Sequence, residues 1–349
     1  MTLKIKGART IKNEPVFIKT GDVPDNINQA FCDGKYYPAQ KYRDGLIAII
    51  DIERDREITI SPECGSNGKG VEITETGKAS LEINIGGKYF TSYVYDKKDF
   101  DRDNFYKPYL GPVMTSWGES FTRLDLTAKD HPHHRSVFLG VGEVNGADFW
   151  SNLGSQNPAG IKYFSGAAYG EITAQNIWTD LNNTPLVDEE RTFTIYNQNE
   201  ECRYVDIAIK FKAAYCNVEF GSTKEAGPLG IRLNEQLRVD RGSGHMINSY
   251  GAENESECWG RSASWCDYSG EISGHSCGIA VFDNESNERY PSAWHIRDYG
   301  LFAPNNLCFK GGFNIAKGES VIYRYRICFH EGGFNARDRF IQYANGKYC

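Results

Sequence analysis

The densest cluster of reactive side chains in the sequence is Asp130-His-Pro-His-His-Arg135. Read as an extended segment, it sends His131, His133 and Arg135 to one face and Asp130 and His134 to the other, so two imidazoles converge on one ligand. His-x-His is a spacing that metal sites use. Because imidazole titrates near neutrality, the same pair can instead exchange protons with a hydroxyl or a carbon acid. The plainer reading is a polar turn before the apolar strand Val137-Phe-Leu-Gly140, with the histidines as internal polar ties. All three stay open at this level.

Further along lies Gly142-Glu-Val-Asn-Gly-Ala-Asp-Phe-Trp150, where Asn145-Gly146 is a strong turn dipeptide. It places Asp148 and Trp150 beyond a sharp reversal, and an indole beside carboxylate and amide groups is what a sugar face needs. Trp150 fits a core equally well. Ser222-Thr-Lys-Glu225 and Gly230-Ile-Arg232 bring Lys224, Glu225 and Arg232 within a few residues, with glycines that permit close turns between them. Glu225 is the first carboxylate candidate for a general base. Trp259-Gly-Arg, Trp265-Cys-Asp-Tyr-Ser-Gly270 and Trp294-His-Ile-Arg-Asp-Tyr-Gly300 repeat the theme of a ring beside polar groups. In the last, alternation puts Trp294, Ile296 and Asp298 on one face and His295, Arg297 and Tyr299 on the other. A carboxylate from Asp298 orienting His295 across a bend is the alternative. The chain lacks Gly-x-Gly-x-x-Gly on a strand-helix turn, the phosphate-loop signature, Gly-x-Ser-x-Gly and His-Glu-x-x-His, so nucleotide-dependent, serine-hydrolase and zincin chemistries lack their parts.

The elements that must position these residues are strands. With 36 Gly, 3 Met, 21 Tyr and 19 Phe, the 349-residue chain favours strands and tight turns over long amphipathic helices. Short apolar or alternating runs recur at 45–52, 79–85, 89–95, 193–196, 205–211, 279–282 and 321–329, several of them separated by turn pairs such as Asp33-Gly34, Gly86-Gly87, Asn182-Asn183 and Gly311-Gly312. The expected fold is all-β, a large antiparallel β-sandwich with a small N-terminal β unit. The turn-rich run Ser61–Gly70 suggests a division into residues 1–65 and 66–349, the first of which can also be an added layer of the main sandwich.

Charge narrows the partners. The net charge of −7 comes with no cluster of Lys and Arg, which argues against nucleic acid or an anionic membrane surface and favours small neutral or cationic ligands. The longest apolar stretch, Gly45–Ile50, falls far short of the ~20 residues a bilayer span needs. The opening Met1–Gly7 alternates like a strand rather than a signal peptide, and the ten cysteines are scattered without a Cys-x-x-Cys, so a cytoplasmic protein with free buried thiols is expected.

Taken together, Asp130-His-Pro-His-His-Arg135, Val144-Asn-Gly-x-Asp-Phe-Trp150, Glu189-Glu-Arg-Thr192, Thr223-Lys-Glu225, Leu229-Gly-Ile-Arg232, Trp265-x-Asp-Tyr-Ser-Gly270 and Trp294-His-x-Arg-Asp-Tyr-Gly-Leu-Phe302 resemble the bacterial PmoA-like family, whose members are often labelled methane oxygenase. The resemblance runs from about Lys107 to His330, with a weaker echo at Pro38-Ala-Gln40. The methane monooxygenase subunit behind that label is an integral membrane protein, and a chain with no spanning helix does not share its activity. What the resemblance implies is a β-supersandwich similar to galactose-mutarotase-like and other carbohydrate-active proteins. The main departures are Cys266 within the Trp265 string and the cysteine-rich background.

The resulting expectation is a carbohydrate-active enzyme, an epimerase, lyase or glycoside hydrolase, acting on a small-molecule sugar or keto-sugar. His131, His133, His134 and His295 would move protons with Glu225 or Asp298 as the carboxylate partner. Arg135, Lys224 and Arg232 would meet developing negative charge, while Asn145, Asp148, Trp150, Trp265 and Arg297 would contact the sugar. A divalent metal on His131 and His133 with His295 as third ligand is a sub-hypothesis, and no nucleotide cofactor is expected. The alternative class is a non-catalytic carbohydrate-binding sandwich using Trp150, Trp265 and Trp294 as stacking platforms. Exposed sheet edges leave room for a homo-oligomer.

Overall fold

The computed structural model describes residues 2–345 apart from 5–9, 22, 33, 54–56, 66–67, 78, 96–106 and 152. It is almost entirely β. Strands Thr2–Lys4, Ile11–Lys19, Gln29–Cys32, Lys35–Tyr42, Gly45–Ile52 and Glu57–Glu63 form a six-stranded antiparallel sheet. Gly45–Ile52 is apolar at nearly every position because both of its faces are covered: Leu46, Ala48 and Ile50 face Val16, Ile18 and Ile60, while Ile47 and Ile49 face Tyr204, Trp265 and Phe282 of the sandwich behind. The division suggested between residues 65 and 66 abuts residues outside those described, as do Asp33 and part of the opening strand.

Buried charge crosses the junction between this sheet and the sandwich. Glu14 meets Arg326 at 3.4 Å, Arg339 at 3.1 Å and the Tyr204 hydroxyl at 3.0 Å. Burial raises the Glu14 carboxyl, and the two arginines work against it.

Two eight-stranded antiparallel sheets make the sandwich. One runs, edge to edge, Trp294–Arg297, Leu301–Pro304, Ala226–Arg232, Val137–Val141, Tyr109–Leu110, Lys88–Val94, Ser80–Ile85 and Val71–Thr76. The other runs Ser155–Phe164, Tyr169–Thr179, Pro185–Tyr196, Cys202–Lys212, Ser320–Glu331, His275–Asp283, Trp265–Ile272 and His245–Asn248. Period-two alternation decides what each strand gives to the space between them. Val137, Leu139, Val141, Leu229, Ile231, Trp294, Ile296 and Phe302 point into the main core. Phe138, Leu301 and Ala303 point to the opposite face of the first sheet, where they pack with Tyr109 and Trp150. That outer face carries the candidate site.

The core between the sheets also holds an ion pair. Glu189 takes the Arg191 guanidinium with both carboxylate oxygens, and both side chains are fully buried. Helices are short: Asn254–Cys258 and Ala336–Asn345. The second carried no signal strong enough to read against a β-rich background, although Asn335 caps it by accepting from the Asp338 N–H at 3.1 Å. Among the described residues, no helix is long and apolar enough to cross a membrane, and nine cysteines are free.

Candidate functional site

Asp130–Arg135 is a turn, not a strand, which corrects the alternation expected for it. His131 adopts φ +50° and accepts a hydrogen bond from the His134 N–H at 3.1 Å; Ser136, at φ +49°, closes the segment before the strand begins at Val137. The curl brings all three imidazoles together instead of dividing them between faces. His131 and His134 stack at 4.7 Å, and His133 lies edge-on to His134 at 4.4 Å and to His131 at 5.8 Å. The turn dipeptide behaves as expected. Asn145 and Gly146 both have positive φ, and the Ala147 N–H reaches back to the Val144 carbonyl at 2.9 Å.

The second contributor is Trp294–Arg297, whose His295 and Arg297 emerge on the outer face while Trp294 and Ile296 enter the core. The rings and guanidinium form a closed circuit. His131 stacks on Tyr299 at 4.8 Å; Arg297 lies 5.5 Å from the Tyr299 ring and 4.9 Å from Trp259. Trp259 meets His295 at 4.8 Å, His295 stacks on Trp150 at 5.9 Å, and Trp150 returns to His134 at 5.4 Å. His134 and Trp150 are deep, whereas His131, His133, Trp259, Arg297 and Tyr299 are half-buried, so the circuit opens to solvent on that side.

Burial keeps these imidazoles neutral. His133 is pushed down to about 4 by burial and then by the Lys107 charge, with Asp148 opposing. His295 is pushed down to about 3 by burial and Arg297, and His134 is held well below the usual value by burial and its histidine neighbours. His131 is lowered by burial and Arg232 despite Asp130 beside it. Among the described residues, neither ring nitrogen of His134 has a hydrogen-bond partner. Such donors and acceptors are costly to leave unmet in a folded interior, and they are what a polar ligand would engage.

Arg232 lies under the circuit with its side chain inaccessible and its guanidinium 4.9 Å from the Tyr299 ring. Its Nη2 donates to Glu235 at 3.0 Å and lies 3.6 Å from Asp130, while Nε and Nη1 have no partner among the described residues. Arg135 turns away, donating to the Lys107 carbonyl at 3.2 Å. Lys224 and Glu225 pair with each other at 3.2 Å.

Four expected contributors lie elsewhere. Trp265 alternates with Cys266 so that Cys266 enters the main core and Trp265 faces the N-terminal sheet. Trp294 is wholly buried and donates its indole N–H to the Ala263 carbonyl at 2.9 Å, so neither ring is a platform. Asn145 is spent on its own loop, accepting from the Glu219 N–H at 2.6 Å and donating to the Asn217 carbonyl at 3.1 Å. Asp298 accepts from the Glu255 N–H at 3.0 Å, anchoring the short helix rather than orienting His295. Asp148 is at the site, but one of its oxygens caps the turn, accepting from the N–H groups of Trp150 and Ser151 at 2.7 and 2.8 Å.

One residue not anticipated is Lys107. Its amine is buried, donates to the Trp150 carbonyl at 2.7 Å and lies 4.8 Å from the Phe138 ring centre. It stands just before a two-residue strand, too short for periodicity to mark it.

The metal sub-hypothesis meets unfavourable geometry. His131 and His133 lie edge to face with ring centres 5.8 Å apart, and the expected third ligand, His295, stacks on Trp150 instead of joining them. Among the described residues, no three His, Cys, Asp or Glu side chains are grouped to hold an ion.

The floor is tightly fitted. A Cβ at Gly230 would lie 2.7 Å from the Phe138 ring, which is itself held by Trp150 at 5.3 Å and His134 at 5.7 Å. Gly230→Ala is expected to cost ~1–3 kcal/mol through overpacking. Denaturant unfolding checks this; an unchanged midpoint would show that the floor yields.

A family model matches residues 80–344, from the second strand of the site-bearing sheet to the C-terminal helix. The chain belongs to DUF6807, a family of unknown function. The DUF6807 match contains every residue of the circuit and Lys107. No curated relative matches at a significant level. Among solved structures, the chain is similar to a heparan sulfate lyase HepC mutant from Pedobacter heparinus, at 8% identity over 78% of this chain and 38% of that one, with TM-score 0.38. It is also similar to a GalM/aldose epimerase homologue from C. elegans (8% identity, 77% and 100% covered, TM-score 0.32) and to galactose 1-epimerase from Lactobacillus acidophilus (11%, 92% and 100%, 0.30). The DUF6807 chain thus spans well under half of the lyase, and likenesses this distant say nothing of what it acts on.

Proposed function

We propose that this protein is an acid–base enzyme acting on a sugar or keto-sugar, and that the imidazole circuit is its proton-transfer site. The observation that carries the reading is the cluster of His131, His133 and His134, joined through Trp150 to His295 from a distant stretch, beside guanidinium nitrogens of Arg232 that have no partner among the described residues. Neutral imidazoles held down by burial and nearby cations are poised for a substrate that becomes negative. As an enediolate or alkoxide develops, the same cations stabilise it and the new anion raises the imidazoles, so proton uptake and charge development reinforce each other. The half-buried faces of Trp259 and Tyr299 suit the C–H face of a sugar ring. The PmoA-like resemblance supports the carbohydrate part of this proposal, and a cytoplasmic setting belongs to it as well.

Epimerisation or elimination fits better than glycoside hydrolysis. Hydrolysis needs two carboxylates across the scissile bond, and Asp298 is engaged by Glu255 while Asp148 caps a turn. The binding-module alternative loses its three platforms, with Trp265 and Trp294 in cores and Trp150 buried beneath the circuit.

His133→Ala tests the reading on a panel of aldoses, keto-sugars and uronates. Turnover is expected to fall ~100-fold or more with ligand affinity kept within a few-fold. No turnover by the unmutated protein on any sugar, or a variant that changes only the melting temperature, would leave the histidines as structural ties.

A further inference from the structure

Lys107 presents a chemistry that the imidazoles do not. Its amine is buried against the outer face of the site-bearing sheet, with the Phe138 ring on one side and the Trp150 carbonyl accepting one N–H. Among the described residues no carboxylate pairs with it. The nearby Asp148 directs Oδ1 to two backbone N–H groups, and the neighbouring side-chain charges from Arg135 and Arg191 are cationic. Among the described residues the carboxylate near an ammonium here would be Asp148, whose Oδ1 is already engaged by the backbone, so the charged state would be poorly compensated, with two N–H bonds unspent, and costly. A neutral amine spends one N–H on Trp150 and keeps a lone pair. Burial, followed by Arg135, accordingly holds Lys107 well below the usual lysine value. A Cβ at Gly140 would come within 3.4 Å of Nζ, so glycine there leaves the amine room.

We propose that Lys107 is a nucleophile that condenses with the carbonyl of an open-chain aldose or keto-sugar to form an imine. The inference rests on the acid–base reading of the site and names the substrate's reactive group. In the condensation the Nζ lone pair bonds to the carbonyl carbon and the C=O π pair moves to oxygen. The amine gives up its two protons, the oxygen receives two and leaves as water, and a C=N bond remains; no oxidant or reductant is needed. His133, edge-on to the His134 ring that stacks on Phe138 as Lys107 also lies against it, is assigned the transfer of those protons. Protonated, the imine withdraws electrons from the adjacent C–H, which is the bond an epimerase or lyase must break.

Two measurements test this on the full chain. Limited reductive methylation with ¹³C-formaldehyde and cyanoborohydride at pH 7, read by peptide mass spectrometry, needs no knowledge of the substrate. Lys107 is expected to be methylated at least ~10-fold faster than the exposed Lys88 and Lys224. A Lys107 that stays unmodified while those two react overturns the proposal. The second measurement traps adducts with cyanoborohydride and a panel of aldoses and keto-sugars. A sugar adduct is expected on Lys107 and absent from Lys107→Arg, or from Lys107→Met should the arginine variant not fold. No sugar adduct overturns the imine. If turnover survives in Lys107→Arg while His133→Ala abolishes it, the imine falls and the acid–base reading stands; if no sugar is turned over at all, that reading falls by itself.

Discussion

Glu189→Ala is expected to destabilise the protein by ~3–5 kcal/mol, the range for removing one partner of a buried ion pair. The size follows from what Glu189 satisfies. Its carboxylate takes the Arg191 Nε at 2.6 Å and Nη2, the Asn176 amide at 2.9 Å and the Trp178 indole N–H at 3.3 Å, all between the two sheets. Arg191 continues the network, donating to Gln156 at 2.9 Å and to the Pro108 carbonyl at 3.4 Å, next to Lys107. Without Glu189 the buried guanidinium loses the carboxylate that takes two of its nitrogens. Replacing both partners by apolar residues, Glu189→Leu with Arg191→Met, is expected to recover a large part of the loss, because the charge leaves with its counter-charge. Recovery stays incomplete because Asn176, Trp178 and Gln156 keep polar groups to satisfy. Denaturant unfolding of the two single variants and the double gives the coupling. A loss under ~1 kcal/mol for Glu189→Ala would mean that water reaches the pair.

The residues of the candidate site were more legible in the sequence than the way they are brought together. Period two was plain in Trp294–Arg297 because the strand has a core on one side, and it sorted His295 and Arg297 from Trp294 and Ile296 correctly. The same rule failed at Asp130–Arg135. That segment has no partner strand to impose extension, and His131 and Ser136 take left-handed conformations that nothing in their side chains advertises. Trp265 also looked like a platform from composition alone. Which face of its strand meets solvent depends on the N-terminal sheet lying behind it, a relation between segments some two hundred residues apart. Lys107 was invisible for a related reason: groups against its amine, the Phe138 ring and the Trp150 carbonyl, arrive from later in the chain.

The imidazoles make a second large effect predictable, an acid lability that begins well above the carboxylate range. His134 and His295 stay neutral in the folded protein far below 6.5, while in the unfolded chain each takes up a proton near that value. The unfolded state therefore binds more protons as pH falls, and stability drops as pH descends from 6.5 toward the folded values. Each buried ring contributes up to ~1.4 kcal/mol per pH unit once the unfolded chain is protonated, so by pH 4.5 His295, held to about 3, removes ~2–3 kcal/mol, and His134 adds in the same direction, a sizeable share of an ordinary domain's stability. His133 and His131 act in the same direction with smaller weight because they are half-exposed. His134→Phe separates this origin from carboxylate titration. A phenyl ring suits the stack among His131, Phe138 and Trp150 and removes both unpartnered nitrogens. The variant is expected to match or exceed the parent at pH 7 and to lose about one proton from the slope between pH 6 and 5, measured by denaturant midpoints across that interval. An unaltered slope would show that His134 carries its proton in the folded state. The same depressed values govern chemistry: with His133 at about 4, kcat/KM for a sugar substrate should hold down to about pH 5 and fall below it, where an ordinary imidazole base would already have failed near 6.5.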